Sequence, residues 1–138
     1  MKLVIIDGQG GKMGKSVIEQ LKKRFPHLET YAIGTNSIAT SAMMKAGADY
    51  GATGENPAIV NAQDADIIIG PIGIVMANAL LGEITPAMAA AIGASQAYKI
   101  LIPVNRCNHY IVGCQEGSLS DYIQMVCDEV GRKAGILS

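Results

Sequence analysis

Short apolar runs alternate along this chain with segments whose apolar residues recur every three or four positions. Continuous apolar runs are typical of strands buried in a parallel sheet. The candidate strands lie at residues 2–6, 29–33, 48–52, 65–69, 99–104 and 109–114. The candidate helices begin near residues 12, 37, 57, 75, 86 and 120, and the fourth of them spans residues 75–81. This alternation predicts a sheet covered by helices on both faces.

The connection between the last two predicted strands sets their relative direction. Only residues 105–108 join the fifth strand to the sixth, and four residues cannot make the crossover that parallel neighbours need. The sixth strand is therefore expected to run antiparallel to the fifth. We predict a single Rossmann-like α/β domain over residues 1–138. It has three layers, α/β/α, around a mostly parallel sheet of about six strands whose last strand is antiparallel.

A glycine-rich turn follows the first predicted strand directly and opens the first helix. It comprises Gly8, Gln9, Gly10, Gly11, Lys12, Met13 and Gly14. Glycine permits a tight turn and a close approach of the backbone to a pyrophosphate, and the free N–H groups of a helix N-terminus attract the anion. We therefore expect this turn to bind the phosphates of a nucleotide or dinucleotide. The competing interpretation is that the glycines only make a sharp connection.

The turn is similar to the glycine loops of dihydrodipicolinate reductases and prephenate dehydrogenases, which are NAD(P)-dependent and whose loops end in a basic residue, Met and Gly. A broader resemblance, to the bacterial family domain of unknown function 3842, covers nearly the whole chain. It rests on IDGQGG at residues 6–11, GTNSIATSA at 34–42, GADYGATGEN at 47–56, GPIG at 70–73 and IPVN at 102–105. That resemblance implies a Rossmann-like fold and no particular activity.

The end of the second predicted strand bears on which nucleotide binds. NAD-binding proteins of this fold usually place Asp or Glu there for the ribose hydroxyls, whereas this chain has Thr35, Asn36 and Ser37. Their side chains can donate hydrogen bonds to a 2′-phosphate, so NADP is favoured over NAD. A mononucleotide or another phosphorylated ligand is equally compatible. Alternatively, Asn36 or Ser37 only caps the second helix.

Two further loops are expected to line the same edge of the sheet. The loop after the fourth predicted strand brings backbone that a ligand can approach closely, at Gly70, Pro71 and Gly73. The other loop follows the third predicted strand and contains Glu55, the candidate acid. Beyond the fifth predicted strand, Cys107 is a candidate nucleophile with His109 as its base. The alternatives are a plain turn for the loop, a solvated carboxylate for Glu55 and a packed thiol for Cys107.

The composition limits which binding partners and which cellular location are expected. A formal net charge of -1 without a basic run argues against nucleic acid, and the longest apolar stretch, residues 67–81, is too short and too interrupted to span a membrane. Three cysteines without paired spacing are typical of the reducing cytoplasm and do not form a metal-site pattern. Only 17% of the residues are charged, which favours a homo-oligomer with surface buried between copies.

Three functions are compatible with these features, and the sequence leaves open whether the protein is an enzyme. The first is a nucleotide-binding module, with NADP as the favoured cofactor. The second is a regulatory or sensor subunit without catalysis. The third is a small enzyme that holds the anion of a phosphorylated metabolite on the glycine loop.

Overall fold

The computed structural model of the chain describes residues 1–104, 108–114 and 117–135. Its strands are β1 (Leu3–Asp7), β2 (Thr30–Gly34), β3 (Tyr50–Thr53), β4 (Ile67–Pro71) and β5 (Tyr98–Ile102). Its α-helices are α1 (Lys12–Arg24), α2 (Ser37–Lys45), α3 (Glu55–Asp64), α4 (Pro86–Ala94) and α5 (Leu119–Lys133), and a 3-10 turn (Ile72–Val75) follows β4.

Local capping signals determine where the later helices begin. The Thr85 hydroxyl accepts the amide of Met88, and Pro86 occupies the first turn of α4. Ser118 and Asp121 form a reciprocal capping box at the start of α5. These side chains satisfy N–H groups that have no partner within the helix, so both helices begin where the sequence predicts.

The strands form one parallel sheet in the order β3-β2-β1-β4-β5. Leu3 of β1 pairs with Thr30 of β2 on one side and with Ile67 of β4 on the other. The strand order therefore reverses between β1 and β4, because β2 and β3 lie on one side of β1 whereas β4 and β5 lie on the other. In open parallel sheets, the crevice at the carboxyl ends of the two strands that flank such a switch is the usual ligand site.

Two apolar layers enclose the sheet. Leu3 and Ile5 face the layer formed with α1, α2 and α5, whereas Val4 and Ile6 face the layer formed with α3 and α4. All four side chains are fully buried, as a continuous apolar run in a central strand predicts. The predicted Rossmann-like three-layer α/β/α architecture is confirmed.

The predicted sixth strand is wrong. The described residues form five strands, all parallel, and residues 108–114 contribute turns rather than an antiparallel strand. Asn108 and Gly113 have left-handed φ values of 58° and 82°, which a strand does not accommodate. Tyr110 and Val112 are 84% and 86% exposed, so the segment has no face packed on the core.

The helix predicted over residues 75–81 is also wrong. After the 3-10 turn the chain runs through a compact loop, residues 76–85, which we call the β4–α4 loop. Asn78, Leu80 and Leu81 have φ values of 65°, 57° and 56°. A right-handed helix cannot contain such residues. The loop closes on itself instead, with the Asn78 amide donating to the Ile84 carbonyl at 2.7 Å.

Candidate functional site

The glycine loop forms a tight turn at the carboxyl end of β1. The Gly11 amide donates to the Gly8 carbonyl at 2.9 Å, and Gly11 has a left-handed φ of 71°. A Cβ on Gly11 would lie 2.7 Å from the Cα of Ala39, so the loop also packs tightly against α2. Glycine is therefore required at this position both for conformation and for space.

The side chain of Asp7 binds both ends of this loop. Its Oδ1 accepts the Gly8 amide at 2.8 Å, and its Oδ2 accepts the Gly14 amide at 2.7 Å. The side chain is only 5% exposed. Burial raises the pKa of Asp7, while the amides of Gly14 and Gly8 oppose that rise. The protein thus supplies its own carboxylate to the N-terminus of α1, where negative charge is stabilised.

Sequence reasoning missed Asp7 as part of the site. The signal was present, since an acid ends an otherwise apolar strand immediately before a glycine turn. Because Asp7 already uses the Gly14 amide, that amide is not available to a ligand. The first and last glycines of the loop are therefore held by the protein itself.

Two backbone amides in the loop are free. Within the described part of the chain, the amides of Gly10 and Lys12 have no protein acceptor. A Cβ on Gly10 would meet no atom of the described residues within 4 Å. A cavity of about 240 Å³ lies against the loop and is closed on its other side by Val104 and Leu119. Its volume is just below the range of small-molecule sites.

A second carboxylate, that of Glu83, joins the loops that follow β1, β2 and β4. One of its oxygens, Oε1, accepts the Gln9 amide at 2.8 Å, the Thr35 hydroxyl at 2.5 Å and the Asn36 side-chain amide at 2.9 Å. Burial acts to raise the pKa of Glu83, but the hydrogen bonds from Thr35, Gln9 and Asn36 outweigh it and hold the pKa below its usual value. Glu83 is therefore held in its ionised form.

Asn36 is the second junction of this network. Its Oδ1 accepts the Ala39 amide at 2.9 Å and so caps α2, while its Nδ2 donates to the Gln9 carbonyl at 3.0 Å as well as to Glu83. Thr35 and Asn36, which the sequence assigned to a 2′-phosphate, thus already donate to a protein carboxylate. Ser37 is exposed at the first position of α2.

The glycines after β4 pack against the protein rather than opening towards a ligand. A Cβ on Gly70 would lie 2.5 Å from the Ile6 carbonyl oxygen, and one on Gly73 would lie 3.2 Å from the Ala79 Cβ. Pro71 is the last residue of β4. The side chain of Leu80 comes within 3.0 Å of the Cβ position of Gly8. The β4–α4 loop therefore covers the crevice between β1 and β4.

Of the two candidate catalytic residues, the structure describes Glu55, which has no hydrogen bond to this network among the described residues. Glu55 is exposed at the start of α3, and its Oε1 accepts the Thr85 hydroxyl at 2.8 Å, which links the N-termini of α3 and α4. Cys107, with Asn105 and Arg106, lies outside the described residues. Cys127, in α5, is 1% exposed, and burial raises the pKa of its thiol, as expected for a packed cysteine.

Neither metal ligands nor membrane spans are found in the part of the chain that the structure describes. Among the described residues, there is no group of three or more His, Cys, Asp or Glu side chains that could hold a metal ion. None of the described helices combines the length and apolarity needed to cross a bilayer.

The strand order, the glycine turn at the switch point and the helices on both faces define a Rossmann-like α/β protein. The chain belongs to the family described as Domain of unknown function (DUF3842), whose sequence profile matches residues 2–134. No curated protein matches the chain. Among solved structures it is similar to a dodecameric FMN-dependent UbiX-like decarboxylase from Escherichia coli O157:H7. That similarity has 14% identity over 98% of this chain and 95% of that one, with a TM-score of 0.47.

Proposed function

We propose that this protein binds a nucleotide at the carboxyl edge of its sheet, with a phosphate group against the free amides of Gly10 and Lys12. The observation that carries the proposal is a pair of amides, on the turn between β1 and α1, that have no acceptor among the described residues. The turn lies at the strand-order switch. Free amides at a turn that opens a helix attract an anion, although the Gly11 amide between these two is engaged by the Gly8 carbonyl. The open space over Gly10 admits the ligand.

The charge balance of the loop makes Lys12 the main cationic partner of that phosphate. Asp7 places a carboxylate at the N-terminus of α1, which offsets the roughly half positive charge of the helix dipole. The backbone amides alone would then attract an anion only weakly. Lys12 is exposed on the first turn of α1, and its ammonium adds a full positive charge beside the free amides.

The hydrogen-bonding network at the end of β2 supports a nucleotide over a bare phosphate. It places hydroxyl, amide and carboxylate groups beside the same loop, through Thr35, Asn36 and Glu83. These groups suit the ribose of a nucleotide better than an inorganic anion. A dinucleotide and a mononucleotide both fit this description. Regulatory and catalytic roles both stay predictions.

The binding claim is tested by thermal unfolding of the full chain with AMP, ATP, NAD and NADP. A ligand at one hundred times its dissociation constant stabilises the folded state by about 2.7 kcal/mol. We expect at least one of the four to raise the unfolding midpoint. Lys12→Ala and Gly10→Ala should each lower the affinity for that ligand by about tenfold. Lys12→Ala removes a charge-assisted contact, and Gly10→Ala blocks the free amide.

Lys23→Ala is the matched control, because Lys23 is an exposed lysine in the last turn of the same helix. It removes the same charge at the opposite end of α1 and should leave the affinity within about twofold, since surface charges at that distance are largely screened. A flat response to all four nucleotides would refute the proposal. So would equal effects of Lys12→Ala and Lys23→Ala.

A further inference from the structure

Glu83 presents one carboxylate oxygen to the protein and the other to solvent. Its Oε1 accepts hydrogen bonds from Gln9, Thr35 and Asn36. Its Oε2 has no partner among the described residues. Every buried side-chain oxygen in that part of the chain does have a partner, so Oε2 is open to solvent. Three donors on one oxygen hold the group in a single orientation, which leaves the second oxygen as a positioned acceptor.

The position of this acceptor matters because the chain has no acid at the end of β2. The residues that follow β2 are Thr35, Asn36 and Ser37, where proteins of this fold usually carry the Asp or Glu that accepts the ribose hydroxyl. The carboxylate of Glu83 reaches the same place from the β4–α4 loop, 48 residues further along the chain than Thr35. A different loop thus supplies the missing acid.

Gly8 is the residue that admits the Glu83 carboxylate. A Cβ there would lie 2.8 Å from Oε1 of Glu83 and 2.6 Å from the Thr35 hydroxyl. No side chain fits in that space without displacing one of these groups. The first glycine of the loop is therefore explained by the Glu83 contact, and the carboxylate lies directly beside the loop that would hold the phosphate.

We propose that Glu83 determines ligand specificity by accepting a hydrogen bond from a free ribose hydroxyl and excluding a 2′-phosphate. The inference rests on the proposed nucleotide binding. A phosphate beside Glu83 would face a like charge, and its natural donors, Thr35 and Asn36, are already engaged. A hydroxyl can donate to Oε2 without disturbing them. The proposal favours NAD over NADP, contrary to the sequence-based preference, which rested on the lack of an acid at the end of β2.

The test compares three adenosine ligands that differ only at the 2′ position, by isothermal titration calorimetry on the full chain. The ligands are AMP, 2′-deoxy-AMP and adenosine 2′,5′-bisphosphate. We expect AMP to bind about tenfold more tightly than 2′-deoxy-AMP, as for loss of a hydrogen bond to a charged group. We expect the bisphosphate to bind at least about tenfold more weakly than AMP, because of like-charge repulsion.

Glu83→Gln keeps the shape and one acceptor oxygen but removes the charge. It should bring the bisphosphate to within about threefold of AMP. Glu29→Gln is the charge-matched control, because Glu29 precedes β2 at the opposite end of the sheet and contacts Tyr50. It should leave the ratios of the wild type unchanged.

The outcomes separate the two proposals. Binding of all three ligands with equal affinity to the wild type overturns the role of Glu83 and leaves nucleotide binding standing. If Glu83→Gln does not fold, the wild-type ratios decide the matter alone. Binding of inorganic pyrophosphate without binding of any nucleotide overturns both proposals, and so does the absence of all binding.

Discussion

The glycines of the first loop meet different constraints although they look alike in the sequence. Gly11 combines a left-handed φ with backbone contact to Ala39. Gly14 packs against the sulfur of Met43, which would lie 2.5 Å from an added Cβ. Gly10 has neither constraint in the part of the chain that the structure describes, since no atom lies within 4 Å of its Cβ position and its φ is not positive. Contacts among the described residues therefore do not require glycine at position 10.

This contrast predicts opposite results for two adjacent substitutions. Gly11→Ala should lower the free energy of unfolding by about 2 kcal/mol or more, because a left-handed alanine costs about 1–2 kcal/mol and the Ala39 backbone must move. Gly10→Ala should change it by less than about 1 kcal/mol. Urea unfolding of both variants measures the difference. Equal losses of stability would show that the loop geometry is not as described.

At the scale of elements, α5 is tied to the edge strand β5 by a cluster of charged and aromatic side chains. The Glu129 carboxylate accepts hydrogen bonds from Tyr98 of β5 and from Arg132, whose Nε lies 2.7 Å away. Lys133 lies over the Tyr98 ring at 4.2 Å. The hydrogen bonds from Arg132 and Tyr98 lower the pKa of Glu129 to about 2. The ionised form of Glu129 therefore stabilises the contact between α5 and β5.

The sign of the pH dependence follows from that depressed pKa. The contribution of Glu129 is present above its unfolded pKa of 4.5 and is lost as the pH falls towards about 2. Glu129→Gln should lower the thermal unfolding midpoint at pH 7, and the gap to the wild type should close by pH 2. Calorimetry across that range measures it. A gap that is constant with pH would contradict an ionic contribution.

At the scale of the whole molecule, the sheet ends in β3 on one side and β5 on the other, and each has one edge that is unpaired among residues 1–104, 108–114 and 117–135. Beside β5, the described residues expose Tyr110, Val112 and Met125, the last to 66%. A cavity of about 680 Å³ lies between β5 and α5. An apolar surface next to an unpaired strand edge favours association, which agrees with the low charge content of the chain.

We accordingly expect a homo-oligomer in solution that uses the β5 and α5 side of the molecule. Met125→Glu should shift the mass measured by light scattering towards the monomer, because it places a charge in an apolar interface. Val60→Glu is the control, since Val60 is 48% exposed on α3, and it should not change the mass. A monomeric wild type at high concentration would refute the expectation.

Local patterns in the sequence were sufficient for much of the architecture. The apolar run of β1, the glycine turn and the starts of α4 and α5 depend on a few neighbouring residues each, so the sequence predicted them closely. The alternation of these elements indicated a parallel sheet with helices on both faces, which the structure confirms. The similarity of the loop to those of dihydrodipicolinate reductases and prephenate dehydrogenases stays a prediction.

Only the tertiary structure determined what surrounds the glycine turn. Glu83 meets Gln9 across 74 residues of sequence, and Asp7 closes both ends of the turn; neither arrangement follows a periodic pattern. The β4–α4 loop depends on left-handed residues other than glycine, such as Leu80, which no local propensity indicates. The sequence alone thus determined that the turn lies between a buried strand and a helix. The packing of distant loops decided which of its amides and carboxylates face a ligand.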